Sequence, residues 1–572
     1  MAVYKIAVTT GDRPNAGTCD YVYVTLIGAE GQSERTLLDN WGPDLGRGTS
    51  GCYSVEAPKS LGELLLLRVE KDPFFVLPED EWFCTKIVVT TPNGEALLFP
   101  CHRWVSRGGD LELRGGPARK IFEDTLPVLL EHHYVAAHWQ DDDFYGFQFL
   151  NGVNPNMIQL CSKLPPNFQV TDAMVKPFLQ EGTSLEKEMK NGNIFFCDYK
   201  TLDGIQTRVY DGEQLVVADG FCLLYMNPEN KLRPIAIQLQ QQPSEKNNIF
   251  LPSDSKTDWL LAKMFIKNAD SIHHQLIQHL LNTHFVVHGF ALATLRNLPL
   301  IHPLYKLLIP HFRQTLHINT SAQTQTSLTG EGFLKLMVRG HQSETTYSSL
   351  CLPENIVARG LMSVPNFHYR DDGLELWGHI QSFAKAMVDK YYPSNDDVIR
   401  DSELQNWIKD IFTNTFLGNV HSGIPQGFTN GEDLAKFVTM VIFRASAGHA
   451  AVHNGMFEYS GWAPNNPVLM RKPPPSTKGV STMETIFEAL PNQGETVALL
   501  SGFLTVTKDF EDFVPLGSYP SEHFGEPSTL EIIKLFQESL ASLGEKIAKR
   551  NTELPVPYPY LHPAQIENSV TI

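Results

Sequence analysis

The sequence predicts a multidomain chain: an N-terminal all-β sandwich followed by a much larger, mainly α-helical domain. Three observations carry this. The 572 residues exceed what one ordinary hydrophobic core serves. Residues 1–114 break into short apolar runs of strand length. From residue 258 onward the apolar residues recur at three- and four-residue spacing over long spans, the signature of helices.

The β part is read from YKIAVTT (4–10), YVYVTLIG (21–28), LGELLLLRVEK (61–71), CTKIVVTTP (84–92) and LLFPCHRWV (97–105). Turn-rich GDRPNAG, NWGPDLGRG, TPNGE and SRGGD separate them, which suits a sandwich. RGGPARK ends the pattern, so residues 115–138 read as a short connection and 139–572 as the helical domain. There DWLLAKMFIKNADSIHHQLIQHLLNTH (258–284), Leu404 to Phe416, Glu432 to Val452 and Leu530 to Lys549 read as long helices. MRKPPPSTKG (470–479) is a surface connection.

A net charge of −18 argues against wholesale nucleic-acid binding. The eight cysteines form no CxxC pair, which favours free thiols over a disulfide framework or zinc cluster. The N-terminus alternates apolar and polar residues, unlike a signal peptide. No apolar run reaches the roughly 20 residues of a transmembrane helix. A cytoplasmic protein is expected, and translocation to a membrane through a local aromatic patch stays open.

Histidines are the chemical signal. HHQLIQHLLNTH (273–284) holds four in a segment that otherwise reads as buried helix. His274 and His279 are five apart, about 140° around an ideal α-helix, so only a π-type turn brings them together. His449 and His453 are four apart and share a face. Two crossing helices can thus aim three or four imidazoles at one point, a set suited to iron, zinc or copper. His284 and His288, also four apart, compete for the assignment. His302 and His311, beside prolines, read as structural.

Several stretches resemble the animal lipoxygenase family: DWLLAK, HQLIQHLLNTH, LPLIHPLYKLLIPHFRQTLHIN, HAAVHNG, FYGFQFLNGVNPNMIQ, YRDDGLELW and the terminal YLHPAQIENSVTI. The resemblance runs from Met1 to Ile572, and the N-terminal part resembles that family's PLAT (C2-like) sandwich. It implies one non-haem iron held by His274, His279, His449, His453 and the C-terminal carboxylate of Ile572, with His273 just outside. It implies an iron-bound hydroxide, held by these ligands, that takes hydrogen from a bis-allylic carbon of a polyunsaturated fatty acid. O2 then adds to give a hydroperoxide. Ala322 stands where a small residue correlates with S oxygenation. Arg313 is the nearest basic residue, to meet either a substrate carboxylate or a surface salt bridge.

The chain also departs from the family. The segment between the two domains is short, where relatives carry a helix over the active-site entrance. Gly448 and Met456 stand at glutamine positions and His288 at a glutamate position, which bears on ligand orientation. For Ca²⁺, Gly17, Thr18 and Asp44 correspond to family ligands, but Cys19, Pro43 and Gly46 replace oxygen donors. Ca²⁺ wants six or more oxygens, so the site looks weakened unless Asp20, Asp80 and Glu81 compensate. Trp41, Phe74, Phe75 and Trp82 are either membrane-inserting or sandwich core. VPNFHYRDDGLELW and KYYPSNDDVIRDSELQNW resemble the epidermal-type branch, which adds a fatty-acid hydroperoxide isomerase as the alternative activity. A lid-deleted, inactive lipid-binding form is the third reading, and iron content separates it from the other two.

Overall fold

The structure is a computed structural model. It describes residues 2–12, 15–40, 44–62, 64–74, 80–108, 111–114, 129–207, 209–210, 213–325, 331–492, 494–497, 499–500, 513–520 and 523–571. The chain divides into two compact units, Met1–Leu130 and Glu131–Ile572.

The first unit stacks two antiparallel sheets. One runs β5 (Ser50–Ala57), β1 (Ala2–Thr10), β7 (Trp82–Thr90), β8 (Ala96–Val105). The other runs β3 (Gly31–Gln32), β2 (Tyr21–Gly28), β6 (Leu64–Asp72), β9 (Leu111–Arg114), with β4 (Thr36–Leu37) also on β2. The period-2 pattern places alternate side chains inward, as with buried Tyr4, Ile6 and Val8 on β1 and Leu67, Val69 and Lys71 on β6. Trp82 is fully buried and its indole N–H donates to Thr10 Oγ1 at 3.0 Å. It is core, not a membrane anchor. Phe74 packs edge-on against Tyr21. Trp41 and Phe75 lie outside the described residues. Strand β5, SGCYSVEA, is too polar on one face to stand out as an apolar run, which is why sequence reading missed it.

Helix Leu129–His138 runs across the division at residue 130, inside what the sequence suggested was connection. The second unit is not helical throughout. A five-stranded antiparallel sheet orders Gln159–Leu160, Ile194–Asp198, Phe221–Met226, Leu232–Gln238 and Ile249–Phe250. Phe221–Met226 is buried at every position, so its sequence lacks the alternation of a half-exposed strand. Helix Asp142–Asn151 crosses this sheet so closely that a Cβ on Gly146 would stand 1.9 Å from the Leu232 carbonyl oxygen.

The centre of the unit is a pair of long helical stretches. Lys256–His273 is α-helical, N-capped by Ser255 accepting from the Asp258 N–H. It continues as the π-helix His274–Phe285 and returns to α-helix over Val286–Asn297. Opposite it, Gly431–Ala445 and Ala447–His453 are separate helices, broken at Ser446 (φ −125°, ψ −91°). Among the described residues no helix is long and apolar enough to cross a membrane.

Candidate metal centre

The π-helix settles the five-residue spacing. Its hydrogen bonds join i and i+5, so His274, His279 and His284 form one column. The His274 and His279 rings are 6.1 Å apart and nearly parallel, and His279 and His284 are 4.8 Å apart and edge-on. From the facing helix His449 and His453 stack at 4.6 Å, as a four-residue spacing dictates.

The nitrogens converge on His279. Its Nε2 lies 3.2 Å from His449 Nε2, 3.3 Å from His453 Nδ1 and 3.3 Å from His284 Nε2. Two nitrogens that each sit about 2.1 Å from one metal ion are about 3.0–3.4 Å apart, so these separations suit a shared cation. One N–H on His279 can satisfy only one of three neighbours, so lone pairs must otherwise face each other in a buried site, which is costly. Burial, and then the neighbouring imidazoles, hold His279 and His449 well below the usual histidine range. Burial brings His284 down to about 4. The rings are therefore neutral at pH 7, with lone pairs available for a metal.

The tautomer of His284 is set from outside. Asn319 Nδ2 donates to the His284 carbonyl at 2.9 Å, which turns its Oδ1 toward His284 Nδ1 at 2.8 Å. Nδ1 must then carry the proton and Nε2 presents its lone pair to the cluster.

His274 lies one π-turn before His279. Its Nε2 donates to the Val452 carbonyl at 2.6 Å, and its Nδ1 is buried without a hydrogen-bond partner. Among the described residues the ligand nitrogens of His279, His449 and His453 lie within 4.8 Å of one another, with His274 and His284 on either side of His279 in the same column. The five-residue spacing occurs twice in HQLIQHLLNTH, as His274–His279 and as His279–His284. His273 is buried on Glu344 at 2.7 Å, beside a network of Asp270, Lys267, Asn154 and Tyr199. That network ties the start of the π-helix to the sheet; no sequence signal marked Asn154 or Glu344.

Ile572 lies outside the described residues, but the tail before it is held firmly. Ile566, Asn568, Ser569 and Val570 are fully buried. Asn568 N–H donates to the Val514 carbonyl at 2.8 Å, and Leu516 N–H to the Ile566 carbonyl at 2.9 Å. His311 Nδ1 donates to the Asn568 carbonyl at 2.8 Å, and its Nε2 accepts from the Tyr519 hydroxyl at 2.7 Å. Arg313 pairs with Glu567 at 3.2 Å, the salt-bridge alternative. The side chain of Ala322 lies outside the described residues.

Gln275 Nε2 meets the Met456 thioether at 3.3 Å, a weaker acceptor than an amide. His288 is half-buried beside Asn319. His302, Asp401 and Glu403 also cluster. There His302 Nδ1 accepts the Leu304 N–H, so Nε2 carries the proton given to Asp401; this is a helix cap, not a ligand set. A groove of about 850 Å³ lined by Tyr134, Phe144, Phe147 and Trp259 shares no residue with the imidazoles. All eight cysteines are free. Of the calcium candidates, Thr18 and Asp80 are hydrogen-bonded, Gly17 abuts the backbone of Leu45–Arg47, and Asp44 accepts from the Asn40 N–H.

Comparison with known proteins places this geometry in context. Residues 116–557 match the lipoxygenase family model, and residues 4–114 match the PLAT/LH2 domain. The chain is 36% identical to the hydroperoxide isomerase ALOXE3 of Rattus norvegicus and 38% identical to the polyunsaturated fatty acid lipoxygenase ALOX15B of Homo sapiens, all of each chain being covered. These alignments run over 712 and 677 positions against 572 residues here, so each relative carries segments without a counterpart. Among solved structures it is similar to coral 8R-lipoxygenase, described as calcium-activated through a C2-like domain, and to a calcium-dependent 11R-lipoxygenase. Each is 30% identical with a TM-score of 0.74 over the whole of both chains.

Proposed function

Because this chain belongs to the lipoxygenase family, we propose that it is a non-haem iron dioxygenase that inserts O2 into polyunsaturated fatty acids of the arachidonate and linoleate class. The ligands in this reading are His274, His279, His449 and His453, completed by the terminal carboxylate of Ile572, with His284 beside them. The observation that carries it is the convergence of His279, His449 and His453 from two helices, their ligand nitrogens lying within 4.8 Å of one another. Iron bound there supplies one-electron redox chemistry at a bis-allylic CH2, so no acid–base triad is required. The chain's own residues do the rest. Asn319 fixes the His284 tautomer, His274 holds the Val452 carbonyl next to His453, and His311 with Tyr519 pins the tail at Asn568. Ala322 is assigned to stereocontrol. Arg313, engaged with Glu567, is not assigned to the substrate carboxylate.

The second reading is a fatty-acid hydroperoxide isomerase at the same centre. It is favoured by full-length similarity to ALOXE3 and by Met456, which offers Gln275 only a thioether. We place the protein in the cytoplasm, with peripheral membrane association through the PLAT unit. The experiment uses untagged, iron-loaded chain, with oxygen uptake on arachidonate measured beside the fate of an added fatty-acid hydroperoxide. Uptake with conjugated-diene formation supports the dioxygenase. Hydroperoxide loss without uptake, giving an epoxyalcohol, supports the isomerase. Neither, with iron bound, overturns both.

A further inference from the structure

The loops expected to hold Ca²⁺ already hold a cation. Lys71 ends the inward-facing row Leu67, Val69, Lys71 on β6, and its side chain is 0% exposed. Its ammonium lies 3.0 Å from Asp20 Oδ2 and 3.8 Å from Asp80 Oδ1, and it donates to the Asp80 main-chain carbonyl. Asp80 is the residue that joins the candidate loops. Its Oδ1 accepts from the Thr18 hydroxyl at 2.7 Å and its Oδ2 from the Cys19 N–H at 2.7 Å.

Every carboxylate oxygen in this cluster is committed to a donor. Asp20 is 2% exposed and takes two hydrogen bonds from Arg107, at 2.5 and 2.6 Å, and one from the Phe74 N–H at 2.9 Å, besides Lys71. Burial raises its pKa, but these donors outweigh burial and hold it well below the usual carboxylate range. Among the described residues two carboxylates, Asp20 and Asp80, face two cations, Lys71 and Arg107, so these four charges balance. Ca²⁺ needs six to eight oxygens at about 2.3–2.6 Å, and would have to displace an ammonium that cannot reach water without unpacking β6.

We propose that the Lys71 ammonium is the resident cation of this loop cluster, so that the N-terminal unit keeps its fold without Ca²⁺ and does not respond to it. The inference is independent of the reaction assigned above. It sets this chain apart from the two solved relatives described as calcium-activated and calcium-dependent.

The test uses the full chain. Ca²⁺ binding is followed by equilibrium dialysis with radiolabelled Ca²⁺, and Tm is measured in chelator and in CaCl2. Expected for the wild type are no saturable binding tighter than about 1 mM, the weak end of protein calcium sites, and an unchanged Tm. Lys71→Met removes the charge and keeps the length, so two carboxylates then face Arg107 alone. This variant should melt lower in chelator and recover in CaCl2. Micromolar binding by the wild type with a rise in Tm would overturn the proposal. So would a destabilised Lys71→Met that Ca²⁺ does not rescue. If that variant fails to fold in chelator, refolding in CaCl2 is the same test: recovery supports the proposal and continued failure overturns it.

Discussion

Replacing His274 and His284 separately by alanine separates a metal ligand from a neighbour that positions one. Both imidazoles are buried, both lie on the same π-helix face, and both belong to a five-residue histidine pair with His279. Their surroundings differ. The His284 ring is held by Asn319 at 2.8 Å, whereas His274 donates from Nε2 to the Val452 carbonyl and keeps a buried Nδ1 without a hydrogen-bond partner. His274→Ala removes one of the four proposed imidazole ligands, and iron affinity should fall by more than about 100-fold, the upper range for losing a residue that only supports a ligand. It also leaves the Val452 carbonyl unpaired, which costs about 1–3 kcal/mol of stability. His284→Ala should lower iron affinity only about 10- to 100-fold, or roughly 1.4–2.7 kcal/mol. Iron per chain is measured by mass spectrometry after dialysis against a graded chelator series, with apo-protein thermal melts alongside. Metal-free His274→Ala should melt lower than wild type. Metal-free His284→Ala should melt nearer to it, since it also relieves a lone-pair contact. If His284→Ala strips the iron while His274→Ala retains it, the assignment is wrong.

His311→Phe preserves shape but unpairs the Asn568 carbonyl and the Tyr519 hydroxyl; carboxypeptidase should then release C-terminal residues faster and iron content should fall, and an unchanged digestion rate would refute the clamp. Asp401 is pushed down to about 2: burial raises it, but hydrogen bonds from His302, the Leu404 N–H and Tyr392 prevail. Its folded pKa lies below the unfolded value, so its contribution of about 2 kcal/mol is present above that value and lost as pH falls through about 2. Asp401→Asn should therefore lower denaturant stability at neutral pH and flatten its decline in acid; parallel acid curves for the two proteins would contradict this. A Cβ on Gly289 would stand 2.3 Å from Thr415 Oγ1 and 2.4 Å from its Cγ2, so Gly289→Ala should destabilise by about 1–3 kcal/mol. Adding Thr415→Ala should restore most of that in urea melts, and failure to do so would mean the clash is relieved elsewhere.

What the sequence determined by itself was whatever depends on neighbours along the chain. The inward row Leu67, Val69 and Lys71 follows from a two-residue period, and the shared face of His449 and His453 from a four-residue one. The long motifs were equally local, and they identified the family without any coordinates. The sequence could also say that a five-residue histidine pair needs a π-turn. Spacing alone does not distinguish His274–His279 from His279–His284. What holds each ring comes from across the core, where His274 meets the Val452 carbonyl and Asn319, 35 residues from His284, fixes the other ring. The same holds for Lys71, which as a letter is a polar residue ending a strand. Only the folded sandwich brings Asp20 and Asp80 to its ammonium, because a buried charge takes its partners from whatever loops the packing delivers.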